Sequence, residues 1–293
     1  MHVATLISAR AARRLSPDLA REAARRLGAA EPDWLEAEVA CDLALPATPA
    51  AGTVAELQAF LAAAAIDCVV QEAATRRKRI LIADMDSTMI GQECIDELAD
   101  IIGIKTAVAA ITARAMNGEI AFEPALRERV ALLKDLPEAT IGRVIEERIT
   151  LAEGGRTLVQ TMRAEGAVTA LVSGGFTAFT SAVAAMLGFH ETRANLLLVE
   201  NGRLTGRVAD PILGKEAKVA ALEEIAAANG LTPGDAIAVG DGANDLGMIQ
   251  RAGTGVAIHA KPAVASAAPH RIDHGDLTAL LFLQGYRAVE FRN

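Results

Sequence analysis

Two aspartates, Asp84 and Asp86, stand at the end of the apolar run Ile80-Leu81-Ile82-Ala83. In extended chain, residues two apart point to the same side. Two such carboxylates repel each other unless a cation or a shared proton relieves them. Ser87 and Thr88 follow with hydroxyls and backbone N–H groups suited to an anion. Two further polar clusters come later, Ser173-Gly174-Gly175 and Gly240-Asp241-Gly242-Ala243-Asn244-Asp245. Hydrolysis of a phosphate ester needs a nucleophile for the phosphoryl group, a general acid for the leaving oxygen, and neutralised charge. Asp84, Asp86 and Asp241 could do this around one Mg²⁺, a hard ion that prefers oxygen ligands. The Ser173 hydroxyl and the N–H groups at Gly174 could cradle phosphate oxygens, and a lysine could pair with them.

Each cluster must be carried by an element that ends there. The runs at 80–83, 167–172 and 236–239 read as buried strands, each stopping at one of the three clusters. Helical patterns lie between them at Gly155 to Glu165, Thr177 to Leu187 and Lys215 to Asn229, and further strands are predicted at Gly255 to Ile258 and Arg271 to Asp273. Strands alternating with helices predict an α/β fold with a Rossmann-like parallel sheet, whose ligands sit at the carboxyl ends of the strands. Asn201-Gly202 between Leu196 to Glu200 and Arg203 to Val208 marks a hairpin.

Four helices are predicted between the first strand and the second: Gln92 to Ile102, Lys105 to Met116 ending at Asn117-Gly118, Phe122 to Asp135 stopped by Pro137, and Thr140 to Ile149 capped by its own threonine. A plain crossover needs far fewer residues, so this segment reads as an inserted four-helix lid. The first 75 residues run strand, helix, one or two strands over Trp34 to Leu45, helix, strand. Ser16 with Pro17 caps the first helix and Thr53 the second. This is the pattern of a small α+β ferredoxin-like (ACT-like) domain, read as a packing or dimerisation module that allows a homodimer; a serine-binding regulatory role is the other expectation. The tract Thr75-Arg76-Arg77-Lys78-Arg79 reads as a solvated linker. The expected division is 1–75 for this module, 76–93 with 155–293 for the core, and 94–154 for the lid.

Composition narrows the function class. Aromatics are only 3%, which leaves little for stacking on single-stranded nucleic acid, and a formal net charge of −8 disfavours a phosphate-backbone binder. Cys41, Cys68 and Cys94 have no metal or disulfide spacing and read as core thiols of a reducing compartment. The N-terminus lacks a secretory pattern and no apolar run suits a bilayer. The expectation is a cytoplasmic enzyme with a small-molecule substrate, no nucleic acid and no membrane partner.

Asp84-Met85-Asp86-Ser87-Thr88, Ser173-Gly174-Gly175, a lysine, and Gly240-Asp241-Gly242-Ala243-Asn244-Asp245 resemble the four ordered motifs of haloacid dehalogenase-like hydrolases. More narrowly, Glu93, the segment Phe122 to Val130 and Val172 to Phe176 are similar to phosphoserine phosphatases of the bacterial type, over about residues 79–293. The resemblance implies hydrolysis of O-phosphoserine, the final step of serine biosynthesis, through an aspartyl phosphate with Mg²⁺ as cofactor. It makes Asp84 the nucleophile and Asp86 the acid and base. It assigns the metal to Asp84, Asp241 and the Asp86 carbonyl, and phosphoryl oxygens to Ser173, Gly174 and Lys218. Asn244 would orient substrate and Asp245 would support the ligands. Lys218 matches the family's spacing better than Lys215, which reads as a surface charge. The lid would supply specificity: Arg129 for the substrate carboxylate, Glu93 for its ammonium, Phe122 as a cover. The alternative is a same-fold phosphatase or phosphotransferase for another small phosphomonoester.

Overall fold

The computed structural model describes residues 1–116 and 119–293, Met116 by its backbone alone; the predicted helix stop at Asn117-Gly118 lies outside the described residues. Alternating side chains in β1 (His2–Ser8) feed two faces of one small sheet. α1 (Pro17–Leu27) starts where Ser16 accepts from the Leu19 N–H and stops at left-handed Gly28. β2 (Asp33–Glu36), β3 (Ala40–Leu45), α2 (Ala51–Ala62) and β4 (Ile66–Glu72) follow. The strands lie in the order β2-β3-β1-β4, antiparallel throughout. Thr53 does not cap α2: the helix begins two residues earlier, and Ala50 at its cap offers no side-chain hydrogen bond.

β5 (Ile80–Ala83) is wholly buried. α3 (Cys94–Ile101), α4 (Lys105–Met116), α5 (Phe122–Ala131) and α6 (Ala139–Glu147) form the helical segment that follows. Thr140 lies inside α6 rather than capping it, because Pro137 O already takes the Thr140 N–H. Where this segment leaves and rejoins the chain, Ile90 pairs with Leu151 as a two-stranded neck. Then come α7 (Gly155–Ala164), β6 (Val168–Phe176), α8 (Thr177–Leu187), β7 (Glu191–Asn195), β8 (Leu197–Glu200), β9 (Arg203–Val208), α9 (Lys215–Ala228), β10 (Ala236–Gly240), α10 (Leu246–Arg251), β11 (Thr254–Ile258), α11 (Pro262–Ala267), β12 (His270–Ile272) and α12 (Ala279–Leu283).

The second sheet has six strands in the order β12-β11-β10-β5-β6-β7, parallel at every pairing. After β5 the chain builds outward through β6 and β7, then crosses to β10, β11 and β12 on the other side. The order therefore reverses at β5, the point of such a sheet where a crevice opens at the carboxyl ends. β8 and β9 form the hairpin, with Asn201 and Gly202 both at positive φ as its tight turn requires.

One face of the four-stranded sheet packs on α1 and α2 through Leu6, Cys41, Leu43 and Cys68. Its other face carries Ile7, Ala40 and Val69 into the same core as Leu281, Phe282 and Tyr286 of the C-terminal region. The basic tract is solvated only in part: Thr75, Arg77 and Arg79 are exposed, but Arg76 is half-buried and Lys78 buried. Arg76 Nη1 donates to buried Asp42 at 2.6 Å, Arg77 stacks 3.4 Å over the Tyr286 ring, and Lys78 Nζ donates to Gly234 O at 2.8 Å. Long cations can satisfy such acceptors while their stems pack. The three cysteines are free and buried. Among the described residues no helix is long and apolar enough to cross a membrane.

Candidate active site

Asp84 follows β5, held by its N–H on Val239 O at 3.0 Å. Asp241 follows β10, directly beside it in the sheet, and Ser173 lies near the end of β6 on the other flank. The three polar clusters of the sequence thus share one rim, as three adjacent parallel strands dictate.

Lys218, one turn into α9, is buried with its ammonium 2.5 Å from Asp84 Oδ1 and 2.5 Å from Asp245 Oδ1. Lys215 is exposed against Glu216. Asp245 Oδ2 in turn accepts from the Gly242 N–H at 3.0 Å. That fold-back explains a glycine: a Cβ on Gly240 would lie 2.5 Å from the Asp245 carboxyl carbon. Asn244 is half-buried on the same turn.

One lysine cannot neutralise these acids. Carboxylate oxygens of Asp84, Asp241 and Asp245 lie within 4.8 Å of one another. Burial and the Asp245 charge push the Asp84 carboxyl well above the usual range, against the pull of Lys218. Burial, then Asp245, pushes Asp241 up to about 6. Burial opposes the charge on Lys218, but its two carboxylates outweigh that and keep it an ammonium. An all-oxygen donor set with surplus negative charge fits a hard divalent cation. Asp245 already has both oxygens engaged, so Asp84 and Asp241 are the carboxylates with room for an ion.

Asp86 accepts from the Cys94 N–H at 3.3 Å through Oδ2, while its Oδ1 is buried without a hydrogen-bond partner among the described residues. Burial and the nearby Glu93 charge push its carboxyl up to about 7. A carboxyl poised there can hold a proton at neutral pH and give it up again. Ser173 is buried, and its Oγ accepts from the Gly175 N–H at 2.9 Å, which leaves its own proton to donate.

The helical segment reaches this rim through Phe122. Phe122 opens α5, and its ring would meet a Cβ on Gly174 at 3.3 Å and one on Gly214 at 3.6 Å. Arg129, a half-buried residue near the end of α5, donates to Ala125 O at 3.3 Å and Thr112 Oγ1 at 3.4 Å; among the described residues it has no acid partner. Glu93 is exposed at the start of α3.

Two hydroxyls differ from the sequence expectation. Ser87 Oγ donates to Glu93 at 2.7 Å and Thr88 Oγ1 to Asp241 at 3.1 Å. Each hydroxyl is taken by a carboxylate of the chain itself, so neither proton is free for an incoming anion. Asn195 went unnoticed in the sequence. Buried at the end of β7, it donates to Gly174 O at 2.9 Å and accepts from Leu213 N at 2.7 Å. It ties the Ser173 loop to the approach of α9, and a lone Asn ahead of an apolar run carries no signal of that.

Residues 81–250 match the haloacid dehalogenase-like hydrolase family. A phosphoserine phosphatase from Albidiferax ferrireducens is 47% identical over 210 residues, 70% of this chain and 89% of the relative. One from Archaeoglobus fulgidus is 44% identical over 217 residues, 73% of this chain, and the match spans only 63% of that longer relative. A solved hydrolase of the same superfamily from Salmonella enterica serovar Typhi superposes with a TM-score of 0.87 at 29% identity, covering 96% of this chain and 97% of the other. That match takes in the N-terminal sheet as well as the parallel one. By sequence and by fold together, the chain belongs to the haloacid dehalogenase-like hydrolases, and within them to the phosphoserine phosphatases.

Proposed function

We propose that the chain hydrolyses O-phosphoserine to serine and phosphate, with Mg²⁺ as its cofactor and an aspartyl phosphate on Asp84 as the intermediate. The observation that carries this reading is the buried Lys218 ammonium bridging Asp84 and Asp245, on the same rim as an Asp86 oxygen that has no partner among the described residues. A free Asp84 oxygen attacks phosphorus, the bond to the serine oxygen breaks, and Asp86 gives that oxygen its proton. Asp86, now ionised, takes a proton from water as the water attacks phosphorus. Phosphate leaves and Asp84 is restored. Lys218, the Ser173 hydroxyl and the Gly174 N–H hold phosphoryl oxygens; Asn244 orients the substrate, and Asp245 keeps Lys218 and the Gly242 turn in place. Asp84, Asp241 and the Asp86 carbonyl would hold Mg²⁺, which supplies charge stabilisation for the phosphoryl group.

Helices α3 to α6, residues 94–154, act as a lid on a core of 76–93 and 155–293. Arg129 grips the substrate carboxylate through its fork, Glu93 takes the ammonium, and Phe122 covers the bound ester. Residues 1–75 form the ACT-like module. Both faces of its sheet are covered, so a homodimer would have to use its helices or strand edges.

Phosphate release from a panel of phospho-amino acids and sugar phosphates, with Mg²⁺ and with chelator, tests the reading. Phosphoserine should be the best substrate and chelator should abolish turnover; a sugar phosphate turned over faster would move the assignment to another phosphomonoester. Asp84→Asn should lose both turnover and the borohydride-trappable phosphoenzyme.

A further inference from the structure

The short loop between the nucleophile and the lid holds a residue to which the proposed mechanism gives no part. Ser87 donates from Oγ to Glu93 Oε1 at 2.7 Å. It does so from a φ of +55°, a left-handed conformation that side chains with a Cβ rarely adopt. Its N–H donates to Gln92 O at 3.2 Å, so residues 87–92 close on themselves. Gln92 is pinned in turn on Thr150, donating to Oγ1 at 2.8 Å and accepting from the Thr150 N–H at 2.9 Å. The loop backbone is therefore fixed at both ends without help from the Ser87 hydroxyl.

Glu93 is different. It is exposed, and among the described residues it has neither a cation at ion-pair distance nor another side-chain hydrogen bond. A free glutamate spreads over many rotamers, and ordering it at the moment of binding weakens the contact it makes. A hydroxyl on one oxygen selects a rotamer beforehand and leaves the other oxygen to accept.

We infer that Ser87 is the positioning residue for ammonium recognition. It holds the Glu93 carboxylate where the amino group of the substrate arrives, so preference for an amino-acid phosphate depends on this hydroxyl. The inference rests on the proposed role of Glu93.

The test compares O-phosphoserine with the phosphate ester of 3-hydroxypropionate, which lacks only the amino group. Ser87→Ala removes the hydroxyl, and Ser87→Gly removes it while relieving the positive φ. Each should raise KM for phosphoserine about tenfold relative to KM for the des-amino ester, the size expected of one lost hydrogen bond to a charged group. The glycine variant should match or exceed the wild-type melting temperature. If both variants keep the wild-type KM ratio while Glu93→Gln loses it, the inference is overturned and the role of Glu93 stands. If wild type and Glu93→Gln alike show no preference for the amino-bearing ester, the reading of Glu93 fails and the inference goes with it. A loss falling equally on both substrates also overturns it, since a displaced loop would disturb Asp86 as much as Glu93.

Discussion

Arg129 is one of two arginines on α5, and the contrast between them carries information. Arg127 reaches Asp210 at 2.5 Å in solvent, whereas Arg129 turns inward to a carbonyl and a hydroxyl. Burial lowers its pKa, although the Asp96, Glu93 and Asp86 charges resist that. A half-buried guanidinium that pairs with no acid among the described residues, and whose Nη2 makes no hydrogen bond among them, can turn to a carboxylate that comes from outside. Arg129→Ala should raise KM for phosphoserine by about 30-fold or more, and far less for a simple aryl phosphate. Steady-state kinetics on the two esters read this, and equal effects would remove the carboxylate role. At this scale the convergence of the acids was legible, because they stand at the ends of strands that pair side by side, whereas Lys218 over Lys215 was legible only through the family's spacing. The targets of Ser87 and Thr88 were not legible. A hydroxyl donates to whichever acceptor the tertiary fold brings near, and here those acceptors stand just before α3 and just after β10, 153 residues away in the case of Thr88.

The elements matter through what they bring close. β6 runs on through Ser173-Gly174-Gly175 to Phe176, so its last residues are at once strand and the loop proposed to hold phosphate. The hairpin props the helical segment from below: Asp135 N donates to Leu204 O at 2.9 Å, and Glu138 N to Gly202 O at 2.9 Å. Phe122 then rests across Gly174, and Gly174→Ala would force its ring aside by a few tenths of an ångström. That variant should lose about tenfold in kcat/KM, since misplacement by 1 Å can cost 10²-fold, with little change in melting temperature. Assaying kcat/KM and Tm on the same preparation checks both halves. The buried strands were readable from their apolar runs. β7 was not, because Glu191-Thr192-Arg193-Ala194-Asn195 is an edge strand, half-exposed and mostly polar. Thr53 and Thr140 misled for a related reason. A threonine near a helix start is a cap only if the backbone turns there, and here the cap positions are Ala50 and Glu138.

For the molecule as a whole, charge at the rim links folding to pH and to the metal. Asp86 and Asp241 keep their protons to about 7 and about 6 when folded, whereas an unfolded chain releases them near pH 4. Without a cation, their contribution is full below about pH 4 and is lost as pH rises through about 6 to 7. The melting temperature of chelated protein should therefore fall from pH 5 to 7.5. In the proposed site Mg²⁺ would select the ionised carboxylates, so it should restore about 5 °C or more near pH 7.5 at saturating concentration and little near pH 5. Thermal melts across that range, with and without chelator, check the crossing.

The seam between the two sheets is the other whole-molecule feature. Asp67, on β4, accepts from the N–H groups of Asp273, His274 and Gly275 at 2.9, 3.1 and 2.7 Å. Asp67→Ala would leave three buried or half-buried donors without a partner and should cost about 2–4 kcal/mol, visible in urea melts, with kcat nearly unchanged.

The same seam bears on how regulation could be sought in this chain. A protein cut at residue 76 would bare Leu281, Phe282 and Tyr286 to water and free the three N–H groups that Asp67 now engages. Its failure to respond to serine would then report a damaged core rather than a missing receptor. An effector site on these first residues has to be sought by single replacements on the outer surfaces of α1 and α2, with the seam left whole.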